Sequence, residues 1–277
     1  MRLITILLLY LTSFSSYANP TWHDLEDFKY RYECLWGEQA GSVVFLGGTA
    51  KQPAVASPIT VIPQTQGLFD SLGQDCYVLV APETPTHIVE GVTYKMWDMS
   101  DNVSLGADTV YLAKLLIRAH GLEGRTYLVG GSNGAIAAYK VANFLRVTGH
   151  GDILEGLVLV DGVSPYTISD NSNKPALLGN LESSIKFSTF GFTYWRADNW
   201  KYDYILLGMA SNKDTWNTRT LIEYSSNDTT IPADEKLYFA ITLSRVAESL
   251  TIKQFGERHS VGEAGWSYIY EWITYED

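Results

Sequence analysis

Apolar residues along the chain fall into two kinds of run. Short blocks, mostly β-branched or aromatic, are bounded by glycine, proline or polar residues, the mark of buried strands. Ser42–Leu46 (SVVFL) ends at Gly47-Gly48, Cys76–Ala81 (CYVLVA) at Pro82, Thr126–Val129 (TYLV) at Gly130-Gly131, and Leu157–Val160 (LVLV) at Asp161-Gly162. Thr220–Tyr224 (TLIEY) and Thr251–Phe255 (TIKQF) complete the set. Longer stretches with apolar positions near helical spacing alternate with them: Asp108–Ala119, Asn133–Val147, Pro232–Leu250 and Ala264–Thr274. Pro232, with Asp234 and Glu235 close behind, has the composition of a helix start. This alternation predicts an α/β domain, a mostly parallel sheet with helices on both faces. Ligands bind such sheets beyond the carboxyl ends of the strands, so functional residues are expected just after them.

The third strand runs into Gly130-Gly131-Ser132-Asn133-Gly134, a G-x-S-x-G pattern between a strand and an Ala-rich helix. A sharp turn there lifts a serine hydroxyl above the sheet, and Gly130 and Gly134 keep side chains from colliding across it. The serine needs a base, and the base needs an orienting carboxylate; with this elbow they follow in the order serine, acid, histidine. Of His23, His87, His120, His150 and His259, only His259 lies downstream of Ser132 and just after a strand. His150 is downstream but sits in a glycine-flanked loop before the fourth strand. For the acid, Asp228 follows the fifth strand and Asp161 the fourth. Asp228 is preferred because its strand directly precedes the one that leads to His259. The backbone N–H of Asn133 is one expected oxyanion donor, and Gly48 or Thr49, after the first strand, supplies the other.

Charge and cysteine content narrow the picture. Twenty basic and 31 acidic residues give a net charge of −11, and no window holds a basic cluster, which argues against nucleic acid as a partner. Two cysteines, Cys34 and Cys76, exclude a disulfide-dense scaffold and a four-cysteine metal site. They either pair or remain two buried thiols. Arg2, the apolar run Leu3–Leu11 and the small residues up to Ala18 have the order of a secretory signal peptide, residues 1–18, cut before Asn19. That leaves 19–277 as one catalytic domain, secreted or periplasmic, with no transmembrane segment in the mature chain.

The elbow Gly130–Gly134, the order Ser132, Asp228, His259 and the loop after Ser42–Leu46 together resemble the α/β-hydrolase superfamily, its serine esterases and lipases in particular. The resemblance implies a central sheet of about eight strands, the two still missing falling between Leu25 and Gly37 with Tyr30–Trp36 as the candidate. The chain departs from the family in having Leu46-Gly47 where His-Gly is common, and Ser225-Ser226 where a glycine often precedes the acid loop. An insertion between the fourth and fifth strands, residues 163–219, resembles a cap over the active site. It is rich in aromatic residues, Trp195 and Trp200 among them, which either line a pocket for an apolar or ring-bearing acyl group or pack as a small cap core. The 83–107 loop with Trp97 is expected to form the opposite pocket wall. The expectation is a serine hydrolase of small carboxylic esters needing no metal or organic cofactor, with peptides, amides or thioesters as alternative substrates and a binding protein of the same fold as the non-enzymatic alternative.

Overall fold

The computed structural model describes residues 23–25, 28–31, 40–48, 50–51, 63–82, 84–89, 92–95, 97, 107–123, 125–162, 216–228, 233–244, 246–259 and 261–275. In chain order its strands are β1 (His23–Leu25), β2 (Phe28–Arg31), β3 (Gly41–Leu46), β4 (Ala50–Lys51), β5 (Tyr77–Pro82), β6 (Thr86–Val89), β7 (Val92–Lys95), β8 (Thr126–Gly131), β9 (Leu154–Val160), β10 (Arg219–Ser225) and β11 (Leu250–Phe255). The helices are α1 (Pro63–Gln74), α2 (Ala107–Glu123), α3 (Asn133–Val147), α4 (Ala233–Ser244) and α5 (Gly262–Thr274). Eight strands form one sheet in the order β1-β2-β5-β3-β8-β9-β10-β11. The six from β5 to β11 pair in parallel, and β1 and β2 join antiparallel at the edge beyond β5. The sheet thus has the expected eight strands, but its two outer ones are short and start earlier than Tyr30–Trp36.

Apolar strands that look uniform in sequence divide cleanly by the pleat, since successive side chains point to opposite faces. Val44 and Leu46 of β3, Leu128 of β8, Leu157 and Leu159 of β9 and Ile222 of β10 face the cluster that holds α2, α3 and α4. Val43, Phe45, Val129, Val158, Val160 and Leu221 face the cluster that holds α1 and α5. Each face buries a continuous apolar layer, and this holds the carboxyl ends of β3, β8, β9 and β10 at one rim.

Several boundaries differ from the sequence expectation for identifiable reasons. The helix beginning near Pro232 stops at Ser244, not Leu250, because the chain then pairs with a distant segment: Trp216 N–H donates to Val246 O at 2.8 Å and Glu248 N–H donates to Trp216 O at 3.0 Å. Trp216–Arg219 therefore belong to the sheet region, not to the insertion, of which 163–215 lies outside the described residues. The 83–107 segment carries β6 and β7, which form a second, three-stranded sheet with β4. Helix α1 adds to the helices that the apolar pattern predicts; it buries Thr65, Leu68, Phe69 and Leu72, spaced three and four apart, against the sheet. Among the described residues, no helix is long and apolar enough to cross a membrane.

Candidate active site

Strand β8 ends in the G-x-S-x-G turn, and the turn is as sharp as its glycines suggest. A Cβ on Gly130 would lie 2.3 Å from Gly134 O, and one on Gly134 would lie 2.0 Å from Leu46 O, so neither position accepts a side chain. Ser132 itself sits at φ 53, ψ −118, a backbone region costly for a residue with a Cβ. Its N–H donates to Val160 O at 2.8 Å, which ties the strained turn to the neighbouring strand. Helix α3 starts at the next residue, so the N–H groups of its first turn gather beside the serine.

The loop after β10 is laced to the loop after β11. Ser226 N–H donates to Phe255 O at 2.8 Å and Asn227 N–H to Glu257 O at 3.2 Å. This pairing sets Asp228 beside His259. His259 Nδ1 lies 2.6 Å from Asp228 Oδ2, and His259 Nε2 lies 2.8 Å from Ser132 Oγ. The three residues expected from sequence to act together form one hydrogen-bonded chain. The histidine in the middle of this chain is 27% exposed, whereas the aspartate side chain at its end is wholly buried. Burial opposes ionisation of Asp228, but the hydrogen bonds and charges of His259 and Lys236 outweigh it and bring its carboxyl down to about 2. Such an arrangement can take the Ser132 proton onto Nε2 while a carboxylate steadies the imidazolium.

Asp161, the other acid considered, lies close by in a different role. It has φ 50, and its Oδ1 accepts from Ser225 N–H at 2.7 Å while its Oδ2 accepts from Ser225 Oγ at 2.8 Å. Between Asp161 and Asp228 stands Lys236 of α4, a residue that no sequence motif marks. Its Nζ donates to Asp161 Oδ1 at 2.5 Å and to Asp228 Oδ2, with no exposed side-chain surface. Ligand atoms of Asp161, Asp228 and His259 lie within 4.8 Å of one another, a set that could hold a cation. The lysine ammonium is the cation placed between its two carboxylates.

Of the expected oxyanion residues, Gly48 abuts the serine: a Cβ on it would lie 3.1 Å from Ser132 Cβ and 3.6 Å from Ser132 Oγ. Asn133 opens α3 on the other side, and Thr49 lies outside the described residues. Trp97 was expected in a pocket wall but is fully buried and acts as a clamp. Its indole N–H donates to Gly47 O at 3.2 Å, its backbone N–H donates to Asn133 Oδ1 at 2.7 Å, and Asn133 Nδ2 donates to Trp97 O at 3.3 Å. It thereby joins the two segments that flank Ser132. Trp195 and Trp200 lie outside the described residues. His150 precedes β9, at the amino end of the strand, and His120 lies in the last turn of α2; neither joins the chain of hydrogen bonds. Cys76 is disulfide-bonded, and its partner lies outside the described residues.

No family model and no curated protein matches the sequence. Among solved structures, the chain is similar to a carboxylesterase from Mesorhizobium loti, at 16% identity and TM-score 0.57, covering 93% of this chain and 100% of that one. It is also similar to Est1E from Butyrivibrio proteoclasticus, at 12% identity and TM-score 0.53, covering 92% and 95%. A third similar structure is an α/β-hydrolase enzyme from the metagenome of Mar Chica lagoon sediments, Morocco, at 16% identity and TM-score 0.51, covering 91% and 97%. The fold is the α/β-hydrolase fold.

Proposed function

We propose that this chain is a serine hydrolase that cleaves carboxylic esters through an acyl-enzyme. The observation that carries the reading is the unbroken path from Ser132 Oγ through His259 to a buried, ionised Asp228. A binding role would require neither that path nor a strained serine. In the first step Ser132 Oγ attacks the ester carbonyl and His259 Nε2 takes its proton. The tetrahedral oxyanion is held by the backbone N–H of Asn133 and that of Gly48 or Thr49. His259 then returns the proton to the leaving alcohol, and water attacks the acyl-enzyme by the same route in reverse. Asp228 holds the imidazole tautomer and offsets the charge of the imidazolium.

Esterases of the same fold favour esters over amides and peptides as the substrate class. Est1E has been solved with ferulic acid bound. The aromatic content of the 163–215 segment, with Trp195 and Trp200, suits a ring-bearing acyl group here. Secretion or export to the periplasm agrees with the leader-like residues 1–18 and with a disulfide at Cys76, which an oxidising compartment sustains. The test is turnover of a short p-nitrophenyl ester and of an aryl-acyl ester, with parallel labelling by a fluorophosphonate. Ser132→Ala is expected to lose labelling and to drop kcat by about 10⁴-fold or more. Undiminished turnover in that variant excludes the mechanism, and cleavage of amides in preference to esters would move the substrate class.

A further inference from the structure

Lys236 has no part in the mechanism just given, yet it is wholly buried at its centre. A dry ammonium is costly unless its partners are charged and well placed. Here both partners are carboxylates, brought by different strands. Asp161 follows β9 and is fixed through Ser225, at the end of β10; Asp228 sits on the loop beyond that same end. The ammonium therefore closes a bridge from the rim of the sheet to the acid that touches His259.

Charge makes the bridge more than a brace. Asp161, Lys236 and Asp228 together carry one net negative charge. When His259 takes the Ser132 proton, that single negative charge becomes the counter-charge of the imidazolium. Without the ammonium, two buried carboxylates would face each other with oxygens within 4.8 Å. Like charges that close do not both ionise, so the pair would take one proton from solvent and share it. Asp228 would then spend part of its time as a neutral carboxyl group, unable to support the imidazolium.

We infer that Lys236 is a positioning residue of the site: clamped between Asp161 and Asp228, its ammonium aims the Asp228 carboxylate at His259 and neutralises Asp161 so that Asp228 stays ionised. The kinetic side of this inference rests on the ester-hydrolase reading; the structural side does not.

The test compares the wild type with Lys236→Met, Asp161→Asn and the double variant, each checked for folding by circular dichroism. Two readouts are taken: the downfield proton NMR signal of His259 Nδ1–H at neutral pH, and kcat and KM on p-nitrophenyl acetate. Lys236→Met is expected to lose or shift the Nδ1 proton signal upfield, and to lower kcat by roughly tenfold to a hundredfold with KM changed less than about twofold. The double variant removes the like charge of Asp161 from beside Asp228, so it is expected to regain the signal and most of the lost kcat. A Lys236→Met protein with the wild-type signal and kcat overturns the inference, and so does a double variant no better than the single. If Lys236→Met does not fold, a double variant that folds supports the charge balance and one that also fails refutes it. A wild type that shows the Nδ1 signal but cleaves no ester removes the ester reading alone, and the NMR comparison still decides the role of Lys236.

Discussion

Glu223 and Asp228 stand a few residues apart on β10 and the loop it feeds, and burial strips water from both. Asp228 meets a lysine and a histidine, and its carboxyl falls to about 2. Glu223 points to the other side of the sheet, toward α5, where a Cβ on Gly265 would lie 3.0 Å from its Oε2. Among the described residues, neither of its oxygens has a hydrogen-bond partner. Desolvation, reinforced by the nearby charge of Asp161 and only partly offset by Lys253, pushes it up to about 9. At neutral pH one acid is therefore a carboxylate and the other a neutral carboxyl group. Depth below the surface does not decide the charge state of a buried acid; the cations and donors within reach of it do.

Removing each acid should break the comparison in a different way. The largest effect belongs to Asp228→Asn, which keeps the shape but loses the charge and favours the wrong imidazole tautomer. Ester kcat is expected to fall about 10³- to 10⁴-fold with KM nearly unchanged, read by steady-state kinetics.

Glu223→Gln should leave kcat alone and change stability. The folded pKa of Glu223 is raised, so its contribution is fully present below the unfolded value of 4.5 and is lost as pH rises toward about 9. Urea denaturation should therefore show wild-type stability falling across that window, and the variant lacking this slope. The gap between them should open to about 3–5 kcal/mol by pH 8. Equal slopes for both proteins would mean that the carboxyl is ionised in the fold.

The smallest effect is the mirror image on the acid side. Asp228 has a lowered pKa, so its contribution is present above the unfolded value of 3.8 and disappears as pH falls toward about 2. Acid unfolding of the wild type should lose about 2 kcal/mol through this group, and Asp228→Asn should not show that component.

Ser132, Asp228 and His259 were legible in the sequence because each follows a strand that local patterning identifies, and a serine elbow carries its own glycine signature. Lys236 was not. A lysine in the first turns of an amphipathic helix reads as a solvated surface residue, and only the fold brings β9 and β10 to it. The hairpin of β6 and β7 had a readable signal: two β-branched runs, THIV and VTYK, separated by Glu90-Gly91. The early end of α4 had none, because a distant tryptophan, Trp216, captures the chain there. Glu223 was visible as a lone acid within an apolar strand, but sequence alone does not say which layer its side chain enters or which described residues lie within reach of it there.

The hydrogen bond between His259 and Ser132 joins residues 127 positions apart, and the other members of the cluster come from the ends of β9 and β10 and from α4. Contacts this distant in sequence carry a chain-closure entropy that must be overcome before they form. The serine turn lies where β8 meets α3 and is tied to β9 through Val160, whereas His259 is brought beside it by the loop after β11, which pairs with β10. A chain in which β11 is not paired with β10 would hold the Ser132 hydroxyl without the His259 imidazole beside it.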